Sequence, residues 1–231
     1  MSNHEETTPV FDSSALADRL DQIVAILDTT RGEILDLAAE LRRAALELPW
    51  DRDISAELAT NSGPYSNEYL ERDGGWWPRT LDQIDGLTFH HTLSDSPHAT
   101  AEHYINKDGG RPSIPYTVWV AQTGEVLLCV DLEEGLWHDH TGHENTHLSV
   151  GLAGSLHQYH PADAQLDAAA KVAAWAIASP ALPGIRSIEQ VTGHRDWVAT
   201  VCPGWESAQS GYWKPELYER IERALEEMGV G

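Results

Sequence analysis

The sequence is short of cysteine, phenylalanine and basic residues, and each shortage closes off a class of explanation. Two cysteines in 231 residues cannot build a disulfide framework. Cys129, inside the apolar run VLLCV, reads as a buried, inert thiol, whereas Cys202 in TVCPG needs its own explanation. Fifteen Lys and Arg stand against 37 Asp and Glu, a formal charge of −22. Such a surface repels phosphate backbones and anionic membranes, which argues against nucleic acid as a partner. No apolar run approaches the roughly 18–20 residues that span a bilayer. The N-terminus, MSNHEETTPVFDSS, lacks the basic start and apolar stretch of a secretory signal, so action outside the producing cell would require release by another agent. Tryptophan is abundant: nine against two Phe, which suggests a core or groove built with large amphipathic rings. At 41% hydrophobic and 23% charged the composition is globular, and the length suits one or two domains of roughly 100–200 residues.

After Ser13 and Ser14, both suited to capping, Leu16, Leu20, Ile23, Leu27, Thr30, Ile34, Leu37, Leu41, Ala44 and Leu48 alternate steps of four and three. This is the a/d pattern of a coiled coil. Residues 1–48 therefore read as an N-terminal helical segment with two open roles. It is either a coiled coil that joins copies of the chain into a homo-oligomer, or an amphipathic helix or hairpin, turning at TTRG, packed on the rest. Residues 49–75 mix Pro, Gly, Asn and acids without sustained periodicity and read as a linker. From residue 76, strand-like stretches (IDGLTFHHT, IPYTVWVAQTGEVLLCVDL with a turn at Thr123-Gly124, HLSVGLAG) interleave with helices, and IEQVTGHRDW reads as strand then loop. The helices are DAQLDAAAKVAAWAIAS and KPELYERIERALEEM, the latter with Pro215 in its first turn and Leu217, Ile221, Leu225 and Met228 on one face. The pattern predicts an α/β domain over 76–231, a mixed central β-sheet flanked by helices.

Three residues fall where zinc chemistry would put them. His90 closes LTFHHT, His194 follows Gly193, and Cys202 lies eight residues on. Two imidazoles and a thiolate form a ligand set that zinc accepts, and three protein ligands leave a fourth position for water. Spacing alone is weak support, since 12 histidines yield such a triple by accident. A rival pattern is HENTH (His143, Glu144, Asn145, Thr146, His147), which satisfies the HExxH of zinc proteases. Gly142 precedes it and a strand-like run follows, without helical periodicity. The two His would not share a helix face, and a solvated loop is the simpler reading.

Four blocks in order, LTFHHT, IPYTVWVAQTGEV, LWHDHTGHENTHLSVGLAG and GHRDWVATVCPG, resemble the type 2 N-acetylmuramoyl-L-alanine amidase family, which includes phage T7-type lysozymes and peptidoglycan recognition proteins. The last block, with HHT upstream, is the most specific. The resemblance implies a zinc amidase domain over 76–231 with Zn2+ held by His90, His194 and Cys202, His91 being a neighbour. It implies catalytic roles for Tyr116 and Thr200, and places His138 and Asn145 along a substrate groove. The implied reaction is hydrolysis of the amide between N-acetylmuramic acid and L-alanine in bacterial peptidoglycan, where zinc supplies an activated water and polarises the carbonyl. Ala153 stands near a position where recycling relatives carry Glu. Asp196 could orient an imidazole or cap a turn. The missing signal and single catalytic domain point to a phage endolysin, made in the host cytoplasm and released to the cell wall, hence antimicrobial. The alternatives are a non-catalytic peptidoglycan-binding protein on the same fold and, last, the HExxH protease.

Overall fold

Alternation of apolar and polar residues along two adjacent strands sorts the faces of a central sheet in this computed structural model, which describes residues 29–31, 48–61, 63, 77–107, 110–135, 137–138, 142–207 and 211–230. The chain divides into two units, Met1–Ala45 and Leu46–Gly231. Of the first, only one helical turn at 29–31 is described, so the coiled-coil expectation lies outside the described residues. In the second unit the strands are β1 (Arg52–Asp53), β2 (Trp77–Pro78), β3 (Gly86–His91), β4 (Val118–Val120), β5 (Val126–Leu128), β6 (Glu134–Gly135), β7 (His147–Leu152), β8 (Val191–Gly193), β9 (Glu206–Ser207) and β10 (Gly211–Tyr212). The helices are α1 (Pro97–Asn106), α2 (Asp163–Ala178), the short α3 (His194–Trp197) and α4 (Lys214–Glu227).

Six strands form the main sheet in the order β1-β5-β4-β7-β3-β8. β4, β7, β3 and β8 run parallel, β5 is antiparallel to β4, and β1 is parallel to β5. The mixed sheet with flanking helices is the architecture expected from the interleaved pattern. On one face Leu87, Phe89, Leu148, Val150 and Leu152 join Val118 and Val120 in a core shared with α2 and α4. The other face carries Thr88 and His90 on β3 and Ser149 and Gly151 on β7, since side chains alternate along a strand.

Helix α2 is rich in alanine, which favours the helix and lets its backbone lie close to the sheet. Twelve of its 16 residues are buried. Among them Gln165 donates through Nε2 to the carbonyls of Val120 and Ala153, 3.0 Å each. Leu217 and Ile221 of α4 are fully buried, with Leu225 and Met228 partly so. Trp119, Trp205 and Trp213 have no exposed surface, so the tryptophan excess supplies core volume.

Two stretches differ from the sequence expectation. Part of the supposed linker is sheet: β1 pairs with β5, Asp51 Oδ2 accepts the Val126 N–H at 2.7 Å, and Ile54 and Leu58 are buried. A two-residue strand is too short to show alternation, so composition alone made it look like a tether. The second unit therefore begins well before residue 76. Beyond β8, IEQVTGHRDW does not end in loop but in the helical turn α3. Gly193, at that junction, has no room for a side chain: a Cβ there would lie 2.3 Å from the buried ring of Trp205. Overpacking of this kind costs about 1–3 kcal/mol, so Gly193→Ala lowers the melting temperature by about 2–4 °C per kcal/mol in a thermal melt.

Candidate metal centre

The parallel register of β3 and β8 sets Phe89 opposite Gly193, so the next residues, His90 and His194, leave the carboxyl ends of adjacent strands together. Open α/β sheets bind ligands at this end. The two rings lie 4.7 Å apart between centroids. Cys202 comes from the loop after α3, anchored by the Arg195 N–H donating to its carbonyl at 2.9 Å. Its Sγ accepts the His91 N–H at 3.3 Å and lies 3.6 Å from His90 Nδ1. Ligand atoms of His90, His194 and Cys202 all fall within 4.8 Å of one another, the single such group of three among the described residues.

The chemistry of these donors fits zinc. Zn–N bonds of about 2.1 Å and Zn–S bonds of about 2.3 Å separate tetrahedral ligands by roughly 3.5 Å, close to the observed Nδ1–Sγ distance. His90 is 2% exposed. Burial first, then its neighbours His138, His194 and His91, holds its imidazole well below the usual histidine range, so it is neutral and offers a lone pair. Burial pushes the Cys202 thiol up to about 12, so a thiolate forms there only beside a cation.

His138 sits behind this cluster, its Nδ1 3.1 Å from His90 Nε2 and its ring nearly perpendicular. With His90 Nδ1 facing the sulfur, the Nε2–H donates to His138 and fixes both tautomer and ring orientation. Tyr116, just before β4, is buried with its ring centroid 5.6 Å from that of His90. It fits because β7 has Gly151 there; a Cβ would come within 2.7 Å of the Tyr116 ring. Burial and then Tyr104 raise its hydroxyl above the ordinary tyrosine range, so it stays protonated. Thr200 Oγ1 accepts the Cys202 N–H at 3.2 Å, which leaves the hydroxyl hydrogen able to donate elsewhere.

Asn145 is not brought to this cluster. It is exposed on the 3-10 turn His143–Asn145 that precedes β7, and the pairing of Gly86 with His147 and His90 with Gly151 puts that turn at the opposite end of the strands. Asp196 caps: its Oδ2 accepts the Gly193 N–H at 2.9 Å and pairs with Lys214 Nζ at 3.1 Å. HENTH forms no α-helix: its first three residues make a 3-10 turn and His147 opens β7, with Nδ1 2.8 Å from Thr88 Oγ1 and Nε2 3.5 Å from Asp85. The HExxH protease reading fails on that geometry. Arg111 escaped the sequence reading: its guanidinium lies 4.8 Å from the Tyr104 ring and 4.9 Å from the Trp137 ring, beside Tyr116. No local pattern announces it, because the three aromatic partners come from separate segments.

The family described as N-acetylmuramoyl-L-alanine amidase matches residues 80–205, more than half of the chain and all of the cluster. The chain belongs to that family. Among solved structures, amidase LysC from Clostridium intestinale is similar at 17% identity and a TM-score of 0.51, over 73% of this chain and 93% of that one. The endolysin amidase LysCS from the same organism gives 14%, 0.50, 71% and 95%. Peptidoglycan recognition protein-LE, solved with tracheal cytotoxin, gives 17%, 0.52, 76% and 94%. These likenesses show the fold. No curated protein matches the sequence, and no described helix is long and apolar enough to cross a membrane. Partners that orient a metal-bound histidine typically contribute about 10–100-fold in metal affinity. His138→Ala therefore weakens zinc binding by about that factor in competition with a chromophoric chelator.

Proposed function

We propose that this chain is a zinc-dependent N-acetylmuramoyl-L-alanine amidase of endolysin type, cutting the amide that joins the lactyl group of N-acetylmuramic acid to L-alanine in bacterial peptidoglycan. The observation that carries the reading is the convergence of His90, His194 and Cys202 within 4.8 Å beside a buried Tyr116, inside the family match. A chain that only bound cell wall would have no use for a thiol and two imidazoles gathered around one point.

When bound, zinc supplies Lewis acidity, polarising the amide carbonyl and making water a nucleophile at neutral pH. The chain's own groups do the rest. His90 is kept neutral by burial and held in register by His138. The Thr200 hydroxyl, its oxygen engaged by the Cys202 N–H, is oriented to donate toward the carbonyl oxygen as negative charge develops. Tyr116, protonated at neutral pH, is a second donor near the reacting atoms. Hydrolysis adds the elements of water across the bond, leaving a lactyl carboxylate and a free L-alanine amine. His138 acts in this scheme through His90, and Asn145 lies on the exposed turn before β7. A residue-1–48 assembly segment completes the proposal; a monomer mass for the full chain in sedimentation would remove that part.

Mass spectrometry of peptidoglycan digests tests the reading. Expected products are peptides with a free L-alanine amine; any other bond broken overturns it. Chelation abolishes release and zinc restores it. Cys202→Ser loses release, and Thr200→Val lowers kcat by about 10²–10³-fold, as for loss of one oxyanion donor. Wall binding with no release by the zinc-loaded chain would favour the non-catalytic alternative.

A further inference from the structure

The HENTH segment has no part in the proposed hydrolysis, yet it builds something definite. His143 stacks on Trp197 of α3, the ring centroids 3.7 Å apart and the planes 28° from parallel. His147 meets the same indole edge-on at 5.8 Å. His147 is itself tied to Thr88 and faces Asp85. The indole N–H of Trp197 donates to Thr192 Oγ1 at 3.1 Å, and Thr192 in turn donates to the Leu87 carbonyl at 2.9 Å. Trp197 is therefore pinned from three directions, yet 38% exposed. Because its single polar atom is already used, what it shows to solvent is apolar ring.

Its position gives this surface a direction. Thr192 pairs with Thr88, and Thr88 lies two residues before His90 on the same face of β3, about 7 Å along the strand. An exposed, immobilised indole thus lies on the face that carries the metal cluster, displaced toward the strands' amino ends. Asn145 stands exposed on the turn that bears His143. A ligand that suits this patch is flat, uncharged and apolar on one face with polar groups at its edge. It must also tolerate a chain of charge −22, which disfavours anions. The C–H face of a pyranose ring meets these conditions, gaining dispersion and weak C–H contacts against an aromatic face.

We propose that Trp197, backed by His143, is a platform for an N-acetylamino sugar of the glycan strand, one step from the residue whose peptide is cut. This rests on the peptidoglycan reading above but is tested without it. Titration of the full chain with an N-acetylglucosamine tetramer, followed by NMR or calorimetry, reads the site directly. Trp197→Ala weakens binding about tenfold or more, and Trp197→Phe, which keeps an aromatic face, by less than about threefold. His143→Ala, on the exposed turn, gives an intermediate loss and decides the matter if Trp197→Ala does not fold. In turnover, Trp197→Ala raises KM about fivefold on fragments with further sugars but less than about twofold on a muramoyl-peptide carrying one sugar. No tetramer binding by the wild type, equal binding by Trp197→Ala and His143→Ala, or equal losses on both substrates would overturn the platform. Tetramer binding that depends on Trp197 without any peptide release would overturn the amidase reading and leave the platform standing.

Discussion

Gathering a buried imidazole, a half-buried one and a buried thiol at one sheet end is the constraint around which this molecule is arranged. Uncompensated, a cluster of buried polar groups is costly. The surroundings compensate one atom at a time: His138 takes the outer nitrogen of His90, and the His91 N–H reaches the Cys202 sulfur. What remains between the three donors is electron-rich and close. A cation satisfies it; without one, burial keeps the thiol protonated and His90 neutral.

The sheet makes this arrangement achievable. Its parallel strands end together, so residues far apart in sequence, at 90 and 194, emerge side by side without any long excursion of the backbone. One face is committed to the α2 and α4 core; the other carries a smaller apolar cluster around Trp119 and Leu127 beside the polar residues of β3 and β7. Glycine is essential at two close approaches: Gly151 admits the Tyr116 ring and Gly193 the Trp205 ring. In both cases the aromatic neighbour fills the space that a side chain would occupy, and both glycines adjoin a donor, Gly151 pairing with His90 and Gly193 preceding His194, so the precision of the site depends on packing right beside it. The family membership and the fold likeness agree with this construction, in which a rigid sheet carries the chemistry on its edge and loops.

Acidity and tryptophan, the two compositional oddities, have separate consequences. The charge acts at long range, on what approaches the surface. The tryptophans act at contact distance, Trp119, Trp175, Trp205 and Trp213 being buried and Trp197 standing partly outside. The contrast between Trp205, fully enclosed, and Trp197, braced but open, arises within nine residues of one loop region.

Much of this was legible in one dimension. The α/β class followed from strands interleaved with helices, and the His90, His194 and Cys202 set followed from block order and the distinctive GHRDW…TVCPG stretch. The hairpin at Gly124 and the apolar face of α4 were readable because turn chemistry and helical periodicity are local properties. Other features required three dimensions, for a common reason: they depend on which strands pair and in what register. The edge strand at Arg52–Asp53 is too short to carry a pattern. His138 and Asn145, seven residues apart in a single block, were read alike, yet one touches His90 and the other lies at the far end of β7. Arg111 between two rings and Trp197 on His143 combine segments that share no local signal. Local chemistry selects which side chains are suited to a task; only the pairing of β3 with β7 and β8 decides which of them meet.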